Sequence, residues 1–500
     1  MAKFKPLYLA LVLHLAFSFT IGSAEARAQA KAAAAVEDED GVAGTKPAAP
    51  LTTEDFAKQV LAIISALEKH HIQPPERANL LAAGFKAFNE TAKQDFPKDI
   101  KASIADIKDA SALAARIEPV LKTADGPTQA KLQLAFLRGM DSAVPGKFAL
   151  VETPNRKEMA VQEQIAANRY VGIGIMVQMN AKTKPPEISS AMLHGAARNA
   201  GIKSGDVFET VDGKDTTGKT MAEVVDWLRG PECSTVTVKV RQRDAKESRT
   251  YTMTRAKVAF EHVFGLRRVG EADFDFRADP SAPIAYIRIG SFSSSTLHEL
   301  RQFERKLRTA GYRALVLDLR GAGGGGLQHA ALVAGGLVNG GRLWTITQKE
   351  DPAPREFKAE QECLFRDWPM VVLIGGKPDL STALNAAALQ DSGRAKIVGE
   401  PSLEDGFIRS IIDLPGQKWS IMLPTARIER RAAATGWPLK PDYLVKLTPE
   451  HSNAIGEWDR LQEMSDKPRD PKAPLSADPQ LAKAIELLRA ELQKLNVTQK

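Results

Sequence analysis

Ala388-Leu389-Gln390-Asp391-Ser392-Gly393-Arg394-Ala395-Lys396-Ile397-Val398-Gly399-Glu400-Pro401 is the stretch on which the reading of this chain turns. Its first residues close a helix and its second half carries Lys396 into a strand. Upstream lies a fully apolar strand, Val371-Val372-Leu373-Ile374. Before that come the strand Ala314-Leu315-Val316-Leu317-Asp318-Leu319 and a helix from about Leu327. Earlier still, Ile284–Ile289 reads as a strand, followed by a helix with Leu297, Leu300, Phe303 and Leu307 on one face. Strand and helix in alternation define an α/β layer structure.

The rest of the chain differs. Thr52 or Thr53 caps a helix with Glu54 and Asp55 in its first turn, and Phe56, Val60, Ile63, Ile64 and Leu67 repeat at helical spacing. Similar patterns run to about residue 140, so 51–160 is expected to be helical. From Tyr170 the period shortens, with strand-like runs at Val236–Val240 and Thr250–Thr254. A final helix is opened by Asp478-Pro479, after a Pro-rich spacer at 468–479, and presents Leu481, Ile485, Leu488 and Leu492.

The N-terminus has the form of a secretory signal over 1–28. Lys3 and Lys5 precede an apolar run from Leu7 to Ile21, and Ala24-Glu25-Ala26 or Ala26-Arg27-Ala28 offers a cleavage site. The apolar run is shorter than the roughly 20 residues that span a bilayer. Removal followed by a linker at 29–50 is expected, leaving no transmembrane segment and placing the protein in the periplasm or cell envelope.

Five hundred residues call for several domains. The net charge of +7 comes from 68 basic and 61 acidic residues spread along the chain, which is a solvated surface rather than a nucleic-acid footprint. Cys233 and Cys363 are the only cysteines and show no pairing pattern, so free buried thiols are expected. His70 and His71 are adjacent rather than a helical turn apart, and no metal-ligand spacing appears. No cofactor is expected.

Residues 165–258 resemble a PDZ domain. Tyr170-Val171-Gly172-Ile173-Gly174-Ile175 matches its carboxylate-binding loop, Ala200–Val207 with Val211-Asp212-Gly213 matches a turn between strands, and Leu228-Arg229-Gly230-Pro231 matches a helix end. The resemblance implies that backbone N–H groups hold a terminal carboxylate while the peptide adds a strand to the sheet edge. Tyr170, Val171, Gly172, Ile173 and Gly174 are the implied peptide-binding residues, and Arg229 stands where a residue couples the module to its neighbour.

Residues 280–450 resemble the protease domain of the C-terminal processing (tail-specific) peptidases, serine–lysine enzymes of the cell envelope. The opening stretch carries that resemblance, with Asp318-Leu319-Arg320-Gly321-Ala322-Gly323-Gly324-Gly325-Gly326, Thr425-Ala426-Arg427 and Pro441-Asp442. It implies a PDZ domain and an α/β, crotonase-like protease core, which with the helical N-terminal region and a spacer and helix over 451–500 make a multidomain α+β chain. It also implies Gly324 as the oxyanion donor. No Gly-Lys-Ser/Thr follows the glycines, which excludes a phosphate loop.

The catalytic positions depart from the family. Its nucleophile falls on Leu380 counting back from Ala388, and on Asp379 counting forward from Gly375-Gly376; Ser381 is the nearest hydroxyl. One residue on a helix rotates a side chain by about 100°, so Ser381 is a catalytic candidate out of register, with helix N-capping as its simpler role. Asp405 stands at the family's lysine and Arg409 at its glutamine, where an ion pair is expected. Lys377 and Lys396 are not obvious replacement bases. Ser381 and Asp405 with His298 or His329 form the alternative triad.

Three functions stay open on these residues. One is an exported PDZ protein that binds protein C-terminal tails or unfolded polypeptides without cleaving them. Another is an active serine endopeptidase with a rearranged site, and the third is an assembly protein whose terminal helices serve a homo-oligomer.

Overall fold

The computed structural model describes residues 50–498 apart from 96–103, 105, 153–169, 180–185, 194, 243–246, 259, 270–272, 350, 352, 361, 377, 403–404, 417–418, 433–435 and 464–477. The expected signal peptide and linker lie outside the described residues, as do Lys377 and the Pro-rich spacer up to residue 477. Among the described residues no helix is long and apolar enough to cross a membrane.

Among the described residues four helices come first: α1 (Thr53–His70), α2 (Arg77–Ala92), α3 (Ala110–Leu121) and α4 (Gly126–Ser142). The Thr52 hydroxyl accepts the Asp55 N–H at 3.1 Å and starts α1. Phe56, Phe85 and Phe88 pack edge-to-face around Phe136 and fill the core of this bundle. The region is not helical throughout, because Ala149–Glu152 forms strand β1. The short run Ala-Leu-Val-Glu cannot build a helix of its own and pairs instead with a strand of the α/β half, Ala149 opposite Met422.

The next unit holds β2 (Val171–Gly172), β3 (Ile175–Met179), β4 (Pro186–Ala191), helix α5 (Ala196–Asn199), β5 (Val207–Val211), β6 (Lys214–Asp215), helix α6 (Met221–Leu228), β7 (Thr235–Arg241), β8 (Ser248–Thr254) and β9 (Ala256–Lys257). Its sheet runs β3-β4-β5-β7-β8, with β6 on β5, so among the described residues β3 is an edge strand. Ile188, Phe208, Val224, Leu228 and alternate residues of β7 form its core. Thr220 and Glu223 close a reciprocal capping box at the start of α6.

The α/β half follows with β10 (Val263–Gly265), β11 (Arg267–Val269), β12 (Asp273–Asp275), β13 (Ile284–Ile289), α7 (Thr296–Thr309), β14 (Ala314–Asp318), α8 (Gly326–Leu337), β15 (Gly341–Gln348), β16 (Arg355–Ala359), β17 (Met370–Ile374), α9 (Leu380–Asp391), β18 (Lys396–Gly399), β19 (Phe407–Asp413), β20 (Trp419–Arg430) and β21 (Tyr443–Leu444). A six-stranded sheet runs β10-β13-β14-β17-β18-β21 and is parallel from β13 onward. Every residue of β13, β14 and β17 is buried, as a sheet covered on both faces requires. The long strand β20 sits between β19 on one side and β1 and β15 on the other, and so joins the helical bundle to this half.

The C-terminal segment holds one helix more than expected. Helix α10 (Pro449–Glu463) precedes the spacer, and α11 (Pro479–Thr498) follows it. Asp478 accepts the Gln480 and Leu481 N–H groups and caps α11. Leu481, Ala484, Leu488 and Leu492 cover one face of the parallel sheet, while residues of α7, α8 and α9 belong to the core on the other. The thiols are free, but Cys233 is exposed and Cys363 half-buried, so the expectation of buried cysteines fails.

Candidate functional site

The glycine run and the start of α9 lie at the C-terminal ends of the neighbouring parallel strands β14 and β17, the place where open α/β sheets form ligand crevices. The turn after β14 is anchored from behind. The Arg320 guanidinium pairs with Asp318 at 2.5 Å and with Asp478 of the α11 cap at 2.7 Å, and all three side chains are buried. The Tyr286 hydroxyl donates to Asp318 at 2.8 Å. From the other side, Ser291 bridges Gly323, and the Phe292 N–H donates to the Gly323 carbonyl at 3.1 Å. A Cβ at Gly325, whose φ is +74°, would lie 1.8 Å from the Phe292 carbonyl oxygen, so only glycine permits this approach.

Ser381 does not cap α9. Asp379 is the N-cap residue, its Oδ1 accepting the Thr382 N–H at 2.8 Å, and Leu380 is the first helical residue. A carboxylate two residues earlier meets the free N–H groups where the helix begins, so Ser381 is left inside the first turn, 6% exposed. Its carbonyl accepts from Asn385 Nδ2 at 2.9 Å. Leu380 is half-buried against the main core.

Gly324 has a partner. Its N–H donates to Asp379 Oδ2 at 2.8 Å, so the implied oxyanion donor faces a carboxylate of the chain itself. Burial raises the Asp379 carboxyl above its ordinary value, against the opposing pull of the Thr382 and Gly324 N–H groups. The Thr382 hydroxyl donates to the Ala322 carbonyl at 2.8 Å and stitches the helix start to the turn.

Asp405 and Arg409 form an ion pair. Arg409 also donates to the Gly146 carbonyl at 2.8 Å, tying the start of β19 to the segment after the helical bundle. Lys396 is the first residue of β18, exposed and paired with Asp442 at 3.2 Å. The alternative triad is not assembled: His329 engages the Gly325 carbonyl, His298 faces Gln302 at 2.9 Å on the surface, and Asp405 is held by Arg409.

Sequence reasoning missed one pair. The buried His262 Nδ1 lies 2.5 Å from Ser291 Oγ, beside the segment that packs on the glycine turn. Glu299 accepts the His262 and Val263 N–H groups at 2.9 and 3.0 Å. Burial, then the charge of His329, pushes His262 down to about 4, and burial pushes Glu299 up to about 7. No spacing rule joins residues 262, 291 and 299; the fold of β10 onto β13 does.

In the second unit the loop from Tyr170 to Ile175 leads into the edge strand β3. The Ile173 carbonyl accepts the Ala197 N–H and the Gly174 carbonyl accepts the Met192 N–H, both at 2.9 Å. A trans peptide points its N–H away from its carbonyl. The Gly174 and Ile175 N–H groups therefore face away from those partners, and that of Ile175 points to the open edge of β3. Gly174 has φ +75°, and a Cβ there would meet Gly195 Cα at 2.6 Å. The Arg229 guanidinium lies 5.6 Å over the Tyr170 ring, which ties the end of α6 to the loop.

The chain matches the peptidase family S41 model over residues 283–445 and a PDZ domain model over 187–242. It is 26% identical over 390 residues to a carboxy-terminal-processing protease of Bartonella bacilliformis, covering 73% of this chain and 85% of that one. It is 28% identical over 249 residues to a carboxyl-terminal-processing protease of a Synechocystis species, spanning about half of each, 49% and 55%. Among solved structures, a photosystem II D1 C-terminal processing protease aligns at 23% identity and TM-score 0.35, with 80% of this chain and 94% of that one covered. The two matched models, PDZ domain first and peptidase second along the chain, define a PDZ-bearing protease fold. The chain belongs to the C-terminal processing peptidase family.

Proposed function

We propose that this chain is an exported, non-cleaving member of its family that binds the C-terminal tails of other proteins in the periplasm or cell envelope. The observation that carries the reading is the Asp405–Arg409 pair, fastened to Gly146, in the place of the family's base. A serine–lysine dyad needs a desolvated neutral amine to take the serine proton. Here that place holds a carboxylate engaged by a guanidinium, and the nucleophile positions hold Asp379 and Leu380. The Ser381 N–H serves the Asp379 carboxylate, while Asp405 is engaged by Arg409 and the Phe407 N–H.

Tail binding draws support from the loop at Tyr170–Ile175. Its N–H groups and the open edge of β3 suit an extended peptide that ends in a carboxylate. The test compares a fluorescent peptide bearing a free terminal carboxylate with its amidated twin in anisotropy titrations. The reading predicts saturable binding of the free acid and much weaker binding of the amide. Equal affinity for both would refute it.

A further inference from the structure

An N-cap residue needs one oxygen, and Asp379 uses Oδ1 for that at the Thr382 N–H. Its other oxygen serves a different element, the Gly324 N–H, which comes from a turn 55 residues earlier. That turn is fixed on both sides, by the contact of Gly325 with the Phe292 carbonyl and by the Thr382 hydroxyl on Ala322. The N–H therefore points at one spot whether or not an anion stands there. Such a preorganised donor has most value for an oxygen that carries negative charge. In this chain the spot already holds a carboxyl oxygen of Asp379.

We propose that Asp379 is a built-in stopper: its carboxylate occupies the anion position of the glycine turn as an internal ligand, and a shortened side chain leaves that position selective for a carboxylate from outside. The second half follows from the donor set. The Gly324 N–H and the N–H groups at the start of α9 converge on a planar pair of oxygens, the geometry of a carboxylate. Tethered beside its donors, the internal group outcompetes a free one by its high effective concentration, so the parent chain is closed to dissolved anions.

The proposal deepens the non-cleaving reading and rests on it, but its test follows an amide resonance rather than turnover or tail affinity. Its failure would therefore leave the tail-binding reading untouched. The purified chain is labelled with 15N-glycine, and the Gly324 amide is assigned by its loss in Gly324→Ala. In the parent that resonance is expected downfield and indifferent to millimolar acetate. In Asp379→Ala it moves upfield and returns, saturably, as acetate is added, but not with an equal amount of chloride. Asp379→Ser keeps a capping oxygen and lacks the second one, so it should behave like the alanine variant even if the latter folds poorly. Unchanged Gly265 and Gly399 resonances, from β10 and β18 of the same half, mark the intact fold. A Gly324 amide that is the same in parent and variants, or that ignores acetate in the variants, would overturn the proposal. An equal response to chloride would overturn the carboxylate selectivity.

Discussion

The loop from Tyr170 to Ile175 and the turn from Gly321 to Gly326 both use positive φ at glycine, Gly174 in the first and Gly321, Gly324, Gly325 and Gly326 in the second, to aim backbone N–H groups. Their surroundings differ. The loop ends at an edge strand, so its N–H groups face an open side of a sheet. The turn is closed in by Asp318, Arg320 and Asp478 behind it, by Phe292 beside it, and by the Asp379 carboxylate in front. An anion position made by backbone alone is thus neutral as to function, and access and occupancy decide what it does.

The largest effect is expected behind the turn. Asp478→Ala removes one counter-charge from the buried Arg320 and the cap from α11. A loss of about 4 kcal/mol in urea unfolding is predicted. A variant as stable as the parent would mean that the turn is not anchored by this pair.

The next effect is on pH dependence. The unfolded values lie near about 4.3 for glutamate and about 6.5 for histidine. Glu299 is raised to about 7 in the folded chain, so its contribution to stability is full at low pH and fades as pH rises through that value. His262 is lowered to about 4, so its contribution is present above the unfolded value and fades as pH falls. The two offset each other on acidification. Glu299→Gln removes the compensating term, and the variant should lose about 3 kcal/mol more than the parent between about pH 7 and about pH 4. Parallel stability profiles for the two proteins would show that the segment beside the turn does not titrate in this way.

At the open site the expected change is smaller and confined to binding. Gly174→Val meets Gly195 and a positive φ, and should weaken the tail peptide by about tenfold, about 1.4 kcal/mol. Unfolding of the α/β half should not move. Undiminished binding would break the contrast between the two turns.

The alternation of strands and helices from Ile284 to Val398 was legible because buried parallel strands are continuous apolar runs, and the glycine turns were legible because positive φ demands glycine. The strand at Ala149 and the helix from Pro449 were not. The first exists only through its partner β20, and the second is mostly polar, with Ile455, Trp458 and Leu461 as its only large apolar residues. At the site, counting residues gave two registers, Asp379 or Leu380, because a segment one residue too long can take up its slack anywhere. The cap at Asp379 depends on where the helix begins in space. The His262–Ser291 pair depends on β10 lying against β13, which no local pattern encodes.

The central claim, recognition without cleavage, is tested most directly by intact mass spectrometry. An unfolded substrate with a free C-terminal tail is held at saturating concentration with the parent chain and with Ser381→Ala. The account predicts that the substrate binds both proteins and keeps its full mass over many hours with either. Shortening of the substrate by the parent that stops in Ser381→Ala would contradict it and return the chain to the active peptidases.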